Sequence, residues 1–364
     1  MSTENQSLIF IPDITGFTKF VNETEISHAQ HIISELLEIL IHANELKMKV
    51  SEIEGDAVLF YKLGDIPSIA ELINQAELMF LNFHNHLKDY EVRRICNCGA
   101  CTGTSSLSLK IIVHQGELGF TNVRNVSKPF GKEVVLAHRL LKNDAEGKEY
   151  MLFSEPFEIQ LVAERPSLPE WVETINASSH YKDIGDIKYQ YIPLTSLRDK
   201  ISTPDPIPPP QRKDKPWIHE IFIECEQSKI YNFLISLELR QLWNEDVEEV
   251  LFEKDRVNRV GTRHQCLFPV GMAEFETFTE DFGDDKMVYG EQVMDVPFTK
   301  ALNVYYVLMS EQSGTRIKIE LHHFPAPVLG WIMTPFLKMK MLKGIKKGAK
   351  SLKKLCESSE AVQA

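Results

Sequence analysis

The chain has 364 residues, enough for two or three domains of ordinary size. Apolar residues make up 43% of the sequence, so it can build a packed core, which excludes global disorder. The net charge of -12 argues against nucleic acid as the main partner, because phosphate binding needs a basic surface.

No stretch of the sequence approaches the roughly 20 consecutive apolar residues that cross a bilayer, so we predict no transmembrane segment. Residues 1–7 are polar and lack the basic and apolar regions of a signal peptide. Three of the six cysteines are clustered and the others are scattered, which is not the pattern of a disulfide framework. These features together predict a cytoplasmic protein.

The first half of the chain mixes strand and helix patterns. Its predicted elements are, in chain order, a strand at 8–11, an amphipathic helix at 28–46, a hairpin at 50–62, a helix at 66–87, a strand at 107–113 and a helix at 133–141. This β-α-β-β-α-β order predicts an α+β fold of the ferredoxin-like kind, with elaborations.

A proline-rich segment, residues 196–215, separates this half from the rest of the chain. Four prolines fall between Pro206 and Pro210, and charged residues flank them. Proline cannot donate to a sheet or sit inside a helix, so we predict an extended spacer; the alternative is a surface loop within one domain. The predicted domains are therefore residues 1–195 and 216–364.

The second half has a different pattern, in which a run of strands follows a strand and a helix. The predicted elements are a strand at 217–225, a helix at 228–243, strands at 247–253, 262–268, 274–281, 287–294, 302–310 and 316–323, and a long helix at about 328–356. The turn signals between the strands favour antiparallel pairing.

Two aspartates occupy positions suited to phosphate chemistry. Asp13 ends the first predicted strand, and a Gly-Phe-Thr turn leads from it towards a helix, so that a cation on the aspartate and backbone N–H groups would face an anion. Asp56 lies at the tip of the predicted hairpin. If the strands are neighbours the two carboxylates converge, as a pair of Mg²⁺ or Mn²⁺ ions requires. Either motif alone is more typical of an ordinary turn or cap.

These two motifs, in this order and at this spacing, resemble those of class III adenylyl/guanylyl cyclase catalytic domains. Three later segments extend the resemblance: VHQGELG at 113–119, FGKEVVLAHRLLKN at 130–143 and KDIGDIKYQYIPL at 182–194. The resemblance covers roughly residues 6–195. It implies a domain that acts on a purine nucleoside triphosphate with a two-ion Mg or Mn site, which forms across a head-to-tail homodimer.

The resemblance also implies roles for individual residues. Asp13 and Asp56 match the metal-binding aspartates, and the backbone carbonyl of Ile14 is a further ligand. The residues that match the surroundings of the triphosphate and the base are Gly16, Phe17, Thr18, Glu52 and Lys128. A glutamate at position 52 resembles the guanylyl type. Arg139 matches the catalytic arginine, whose guanidinium would offset charge that develops in the transition state.

Three positions depart from the cyclase pattern. Val135 stands where the family has the asparagine that holds the ribose, and Lys128 is neither the aspartate nor the cysteine of the second base-selecting position. The catalytic lysine of the family falls on or near Ile184, with Lys182 and Lys188 out of register. Two hypotheses follow. The first is a metal-dependent purine nucleotide cyclase that uses ATP or GTP and is regulated by a hydrophobic ligand or partner of the second half of the chain. The second is a catalytically inactive nucleotide-sensing module coupled to a second half that binds a lipid-type ligand.

Three closely spaced cysteines, Cys96, Cys98 and Cys101, form a separate cluster. A Cys-x-x-Cys spacing is common in zinc knuckles, and a closed tetrahedral site needs a fourth ligand. The candidates for that ligand are His84, His86 and His114. A structural zinc ion is one interpretation; a redox role or ordinary surface cysteines are the alternatives.

The second half, about residues 216–357, resembles the START-like (SRPBCC) superfamily in its order of elements. The resemblance implies a helix-grip domain whose curved sheet encloses a cavity for a hydrophobic small molecule or lipid. The candidate cavity residues are Phe268, Phe275, Phe278, Tyr289, Tyr305, Trp331 and Phe336. Eight lysines between Lys338 and Lys354 indicate contact with anionic lipid or an acidic surface, or else a solvated helix face. A scaffold without a ligand is the third functional hypothesis.

Overall fold

The computed structural model describes residues 6–24, 26–124, 126–254, 256–282 and 286–358, so the first five residues of the predicted polar N-terminus lie outside the described part. The chain divides into two compact units. The first unit comprises Met1–Val92 and Cys98–Pro204, and the second comprises Arg93–Asn97 and Asp205–Ala364. Both units combine helices with antiparallel strands, which confirms the α+β class.

The first unit contains a mixed sheet and a separate hairpin. Its strands are β1 (Gln6–Thr15), β2 (Lys49–Glu54), β3 (Ala57–Leu63), β4 (Ser108–Glu117), β5 (Gly119–Val123), β6 (Val126–Phe130), β7 (Tyr150–Ser154), β8 (Ile175–Tyr181) and β9 (Gly185–Pro193). The sheet order is β2-β3-β1-β4-β7-β9-β8, and β5 pairs with β6. Because β1 lies antiparallel to both β3 and β4, the first four strands have the order of a β-α-β-β-α-β unit.

The helices of the first unit include the three that the sequence pattern predicts. They are α1 (Phe17–Glu23), α2 (Ile26–His42), α3 (Ile69–Arg93), α4 (Gly99–Gly103), α5 (Lys132–Leu140) and α6 (Glu158–Glu164). Ile32, Leu36 and Leu40 of α2 are fully buried, because their spacing puts them on one face of the helix. Among the helices that the structure describes, none is both long enough and apolar enough to cross a bilayer.

The second unit is built on a single antiparallel sheet. Its elements are β10 (Trp217–Ile223), α7 (Gln227–Ile235), α8 (Arg240–Trp243), β11 (Glu249–Leu251), β12 (Arg263–Phe268), β13 (Gly271–Phe282), β14 (Lys286–Val293), β15 (Thr299–Glu311), β16 (Gly314–Pro325) and α9 (Leu329–Glu357). The strand order is β10-β16-β15-β14-β13-β12-β11. Successive hairpins run from β11 to β16, and β10 pairs with the last of them.

The two faces of this sheet have different coverings. Tyr305 and Tyr306 are successive residues of β15 and so point to opposite faces. The ring of Tyr306 packs 6.5 Å from that of Trp243 in α8. The hydroxyl of Tyr305 donates to the carbonyl of Pro210, and the guanidinium of Arg212 lies 4.1 Å from the Tyr305 ring centre. The second half of the expected spacer therefore lies against the sheet, because its backbone finds donors on β15.

The aromatic residues predicted to line a cavity divide into two groups. Those that lie inside the second unit are Phe268, Phe275, Phe278, Tyr289 and Tyr305. Trp331 and Phe336 are 66% and 58% exposed, so the prediction that they line an enclosed cavity is wrong. Both lie in the first half of α9, whereas most of the buried residues of α9 lie in its second half.

A buried ion pair connects α8 to the sheet of the second unit. Arg240 and Glu291 are each about 2% exposed, and the guanidinium donates to both carboxylate oxygens. The hydroxyl of Tyr289 also donates to Glu291, at 2.7 Å. Nε2 of His264 lies 3.4 Å from Oε1 of Glu291. Burial is the largest single effect and works to raise the pKa of Glu291, but the charge of Arg240 and the hydrogen bonds from His264 and Arg240 together outweigh it and hold that pKa well below its ordinary value.

We expect Arg240→Met to lower the free energy of unfolding by about 3–5 kcal/mol, because it leaves Glu291 as an unpaired buried charge. Chemical denaturation of the full chain measures this. The double variant Arg240→Met, Glu291→Gln should recover part of the loss, since the unpaired charge is gone. Lys88→Ala, which removes an exposed pair with Glu91, is the control and should cost less than about 1 kcal/mol. A cost for Arg240→Met as small as that of the control would contradict the role of the pair.

Candidate functional site

The two predicted metal-binding aspartates lie at one end of neighbouring strands. Asp13 is near the end of β1, opposite Ala57 of β3. Asp56 occupies the turn before β3, and its carbonyl accepts a hydrogen bond of 2.9 Å from the N–H of Ile14. The turn passes through Gly55, whose φ of +62° favours glycine. The β1–β3 pairing therefore brings Asp13 and Asp56 together, although β2 is not the neighbour of β1.

The pKa of Asp56 responds to its surroundings. The pKa of Asp56 is raised, first because the carboxyl is partly buried and second because the charge of Asp13 is close; Lys110 works in the opposite direction. Nζ of Lys110 lies 2.9 Å from Oδ2 of Asp13 and also donates to the carbonyl of Leu141 at 2.9 Å. The sequence does not single out Lys110, because its role depends on the register that places it across from Asp13 on β4.

The carboxylates of Asp13 and Asp56 are suited to binding a divalent cation. Carboxylate oxygens are the ligands that Mg²⁺ and Mn²⁺ prefer, and a cation would offset the burial and the charge of Asp13 that together raise the pKa of Asp56. Asp13 is 8% exposed and Ile14 is fully buried, so the site is set into the end of the central strands of the sheet. The arrangement suits a hard cation that carries phosphate oxygens.

The predicted triphosphate turn is fixed tightly against its neighbours. Gly16 has a φ of +93°, and a Cβ built on it would lie 2.9 Å from the carbonyl oxygen of Ser106. Glycine is therefore required for both backbone conformation and space. The ring of Phe17 lies beside Gly55, since a Cβ there would be 3.8 Å from Cε1 of Phe17. Thr18 is exposed, so its hydroxyl is accessible to a ligand.

The two residues expected at the base-selecting positions pair with each other. Nζ of Lys128, on β6, lies 2.5 Å from Oε2 of Glu52, on β2, and this hydrogen bond raises the pKa of Lys128. The carboxylate of Glu52 is thus engaged by a cation. Val135, at the expected ribose position on α5, is 53% exposed and offers no hydrogen-bonding group.

The expected catalytic arginine lies apart from these contacts. Arg139, on α5, is exposed, and its Nη2 lies 3.3 Å from Oδ2 of Asp183. Asp183 and Ile184 belong to the turn between β8 and β9, where the N–H of Ile184 donates to Tyr181. Within the described residues, Arg139 pairs with Asp183, whereas Asp13 pairs with Lys110. Its charge is available at the surface of the chain.

The segment that resembles the family's His-x-Gly-Glu strand has a structural function. His114 is 1% exposed; its Nδ1 lies 2.7 Å from the hydroxyl of Ser154 and its Nε2 lies 2.8 Å from Glu133. Burial lowers the pKa of His114. A Cβ at Gly116 would lie 2.5 Å from the side chain of Glu133, so glycine there allows α5 to approach β4.

The cysteine cluster meets a histidine other than the expected ones. Ligand atoms of His28, Cys96, Cys98 and Cys101 all lie within 4.8 Å of one another, so the chain has a Cys/His group able to hold a metal ion. The candidate histidines lie against other partners: His84 against Glu149 at 3.3 Å, His86 against Glu35 at 2.8 Å and His114 as above. The prediction that one of them completes the cluster is wrong, because contact of α2 with the cysteine segment depends on tertiary packing.

Comparison with known proteins gives one family and one curated relative. Residues 33–150 match DUF2652, described as a protein of unknown function. The uncharacterized protein Rv2561/Rv2562 of Mycobacterium tuberculosis is 27% identical over 175 residues, which are 48% of this chain and 78% of that protein.

Solved structures similar to the chain include nucleotidyl cyclase domains. The guanylate cyclase domain of RhGC from Catenaria anguillulae, in complex with GTP, covers 52% of this chain and 96% of its own, at 18% identity and a TM-score of 0.37. The catalytic core of a rhodopsin-guanylyl cyclase with converted specificity, in complex with ATPalphaS, covers 52% of this chain and 96% of its own, at 16% identity and a TM-score of 0.38. The adenylyl cyclase CyaB from P. aeruginosa covers 52% of this chain and 93% of its own, at 15% identity and a TM-score of 0.37. At these values the functional argument depends on the residues of the site.

We expect Lys110→Met to raise the pKa of Asp56 further, because Lys110 is one of the charges that lowers it. A carboxyl whose pKa is raised on folding opposes folding when it is ionised. The destabilisation is therefore present above the folded pKa and disappears as the pH falls below the ordinary value of 3.8.

Denaturation of the variant across a pH series tests this, with Lys19→Met, an exposed lysine of α1, as the control. A loss of stability that is equal at acidic and neutral pH would mean that Lys110 acts through packing and not through its charge.

Proposed function

We propose that the first unit is a metal-dependent purine nucleotide cyclase-like domain, in which Asp13 and Asp56 hold Mg²⁺ or Mn²⁺. The observation that carries this proposal is the placement of Asp13 near the end of β1 and Asp56 just before the start of β3, where the backbone N–H of Ile14 donates to the carbonyl of Asp56 at 2.9 Å. The resemblance of the surrounding motifs to class III cyclases supports the choice of nucleotide as the substrate class.

Each part of the site has a separate task in this proposal. The bound cations supply positive charge for the triphosphate. The turn at Gly16, Phe17 and Thr18 keeps the backbone close to the phosphates, and Glu52 accepts N–H donors from the base, as in the guanylyl type. Arg139 offsets charge that develops during the displacement, a contribution typically worth about a hundredfold to a thousandfold in rate.

The full chain incubated with Mn²⁺ and GTP or ATP should form the cyclic nucleotide, and Asp56→Ala should abolish product, because the cation loses a ligand. Product is measured by chromatography. The matched control is Asp65→Ala, an exposed aspartate beyond the opposite end of β3, which should retain the wild-type rate. Product from Asp56→Ala at the wild-type rate would exclude the proposed metal site.

A second candidate function is favoured by one observation. Lys128 occupies the carboxylate of Glu52, and Val135 cannot hydrogen-bond a ribose, so the orienting half of the site differs from that of the family. These features favour a nucleotide-sensing module without turnover. Metal-dependent nucleotide binding in calorimetry without cyclic product would select this function, and absence of both would exclude the two candidates.

We further propose that the first unit forms a head-to-tail homodimer, as the cyclase resemblance implies. Its hairpin and α5 carry several exposed large apolar side chains: Phe120, Val123, Phe130 and Val135. The strand register places Val123 and Phe130 on the same face of the hairpin, and exposed apolar groups on one surface typically mark an interaction site. A partner chain placed there would bring Arg139, which is exposed, to the metal half of the neighbouring chain.

Co-expression of Asp56→Ala with Arg139→Ala chains tests the shared site. Each variant alone should be nearly inactive, whereas random pairing should restore about a quarter of the wild-type sites, since half of the dimers combine the two variants and each holds one intact site. Product formation and the mass in solution, relative to the 41.8 kDa chain, are the measurements. A mixture no more active than its components would contradict a shared site.

For the second unit we propose a START-like helix-grip domain that holds a hydrophobic ligand or partner and so regulates the first. The strand order β10-β16-β15-β14-β13-β12-β11, with two helices after the first strand and a long last helix, supports this proposal. The first half of α9 presents an exposed apolar surface formed by Trp331, Ile332, Phe336 and Met339. That surface supports a hydrophobic partner more directly than an enclosed cavity does.

A further inference from the structure

The group formed by His28, Cys96, Cys98 and Cys101 has the ligand chemistry of structural zinc. Three thiols and an imidazole make a Cys₃His set, and their ligand atoms lie within 4.8 Å of one another. Soft thiolate ligands with imidazole select zinc over magnesium or manganese. The chemistry therefore differs from that of the carboxylate pair at Asp13 and Asp56.

The distances within this group agree with a tetrahedral ion. Nδ1 of His28 lies 3.2 Å from Sγ of Cys98 and 3.6 Å from Sγ of Cys101. With Zn–S of about 2.3 Å and Zn–N of about 2.0–2.1 Å, the N···S edge of a tetrahedron is about 3.6 Å. The side chains are thus already spaced for a shared ion, with small adjustments.

Local structure holds the ligands in this arrangement. Cys98 is the N-cap of α4, and its Sγ accepts a hydrogen bond of 3.4 Å from the N–H of Cys101. Cys101 is 2% and Cys96 is 4% exposed, whereas an adventitious surface site would expose its ligands.

We propose that His28, Cys96, Cys98 and Cys101 bind one structural Zn²⁺. Four protein ligands complete the tetrahedron and leave no open position, so the ion has no catalytic role. It ties the beginning of α2 to α4, which lie far apart in the sequence. Closing such a connection stabilises the fold, because zinc binds the folded arrangement and not the unfolded chain.

The ion would also support the phosphate turn. Residues 98–106 run from the zinc ligands to Ser106, whose carbonyl oxygen lies 2.9 Å from the Cβ position of Gly16. A Cβ at Gly103 would lie 3.4 Å from the ring of Phe20 in α1. The segment clipped by zinc is therefore the segment against which the Gly16 turn and α1 pack.

Metal analysis of the full chain tests the proposal without any nucleotide. Purified wild type, dialysed against a weak chelator, should retain about one zinc per chain, as a closed four-ligand site does. His28→Ala and Cys101→Ser should lose most of it, and His28→Cys, which restores a fourth ligand, should recover it. Cys225→Ser, a partly exposed cysteine outside the group, is the matched control and should keep wild-type zinc.

Cobalt substitution and heating give independent measurements. Co²⁺ bound to the wild type should show the visible absorption of a tetrahedral thiolate site, and a strong chelator should lower the melting temperature of the wild type but not of Cys101→Ser. Equal zinc content in wild type and Cys101→Ser would show adventitious metal and overturn the proposal. Because Asp56→Ala should keep its zinc, failure of this test is distinct from failure of the nucleotide assay.

Discussion

The position of β1 between β3 and β4 is the constraint on which the candidate site depends. Antiparallel pairing on one side places the turn containing Asp56 beside the end of β1, and pairing on the other side places Lys110 across from Asp13. Leu8, Ile9, Phe10 and Ile11 are at most 1% exposed. A shift of the strand by one residue would move each of these side chains to the other face of the sheet and disrupt their packing. The buried strand thus fixes the distance between charges that repel each other.

The pKa of Asp56 shifts in the opposite direction to the pKa values of two buried glutamates, one in each unit. Glu149 is buried, yet hydrogen bonds from His84, Arg198 and Ser108 outweigh burial and hold its pKa well below the ordinary value; Glu291 behaves likewise beside Arg240. The pKa of Asp56 is raised instead. A carboxylate with enough cationic partners stabilises the fold, whereas Asp56 has a charge that the chain leaves partly uncompensated. That contrast distinguishes the candidate metal ligand from the structural acids.

Local sequence signals predict what depends on a few consecutive residues. Asp13 ends an apolar strand pattern and Gly16 and Asp56 stand in turns, so the neighbouring residue types identify all three. The helical spacing of Ile32 and its neighbours predicts α2. Contacts across distant segments are not encoded locally: the meeting of His28 with the cysteines follows from how α2 packs, and Lys110 acquires its partner from strand register. Trp331 was expected inside a cavity because it is aromatic, but composition does not say which half of a long helix is buried.

Space around the Gly16 turn connects the two proposed metal sites, which differ in their ligand chemistry. The turn has no room for a Cβ because the backbone of Ser106 is in contact with it, so the turn cannot move unless the segment 98–106 moves as well. Interiors packed to this density transmit displacement and do not absorb it. A zinc ion bound at Cys98 and Cys101 would therefore restrict the backbone on which phosphate would rest, while Asp13 and Asp56 depend on strand pairing alone. Loss of zinc should for this reason weaken nucleotide binding more than cation binding.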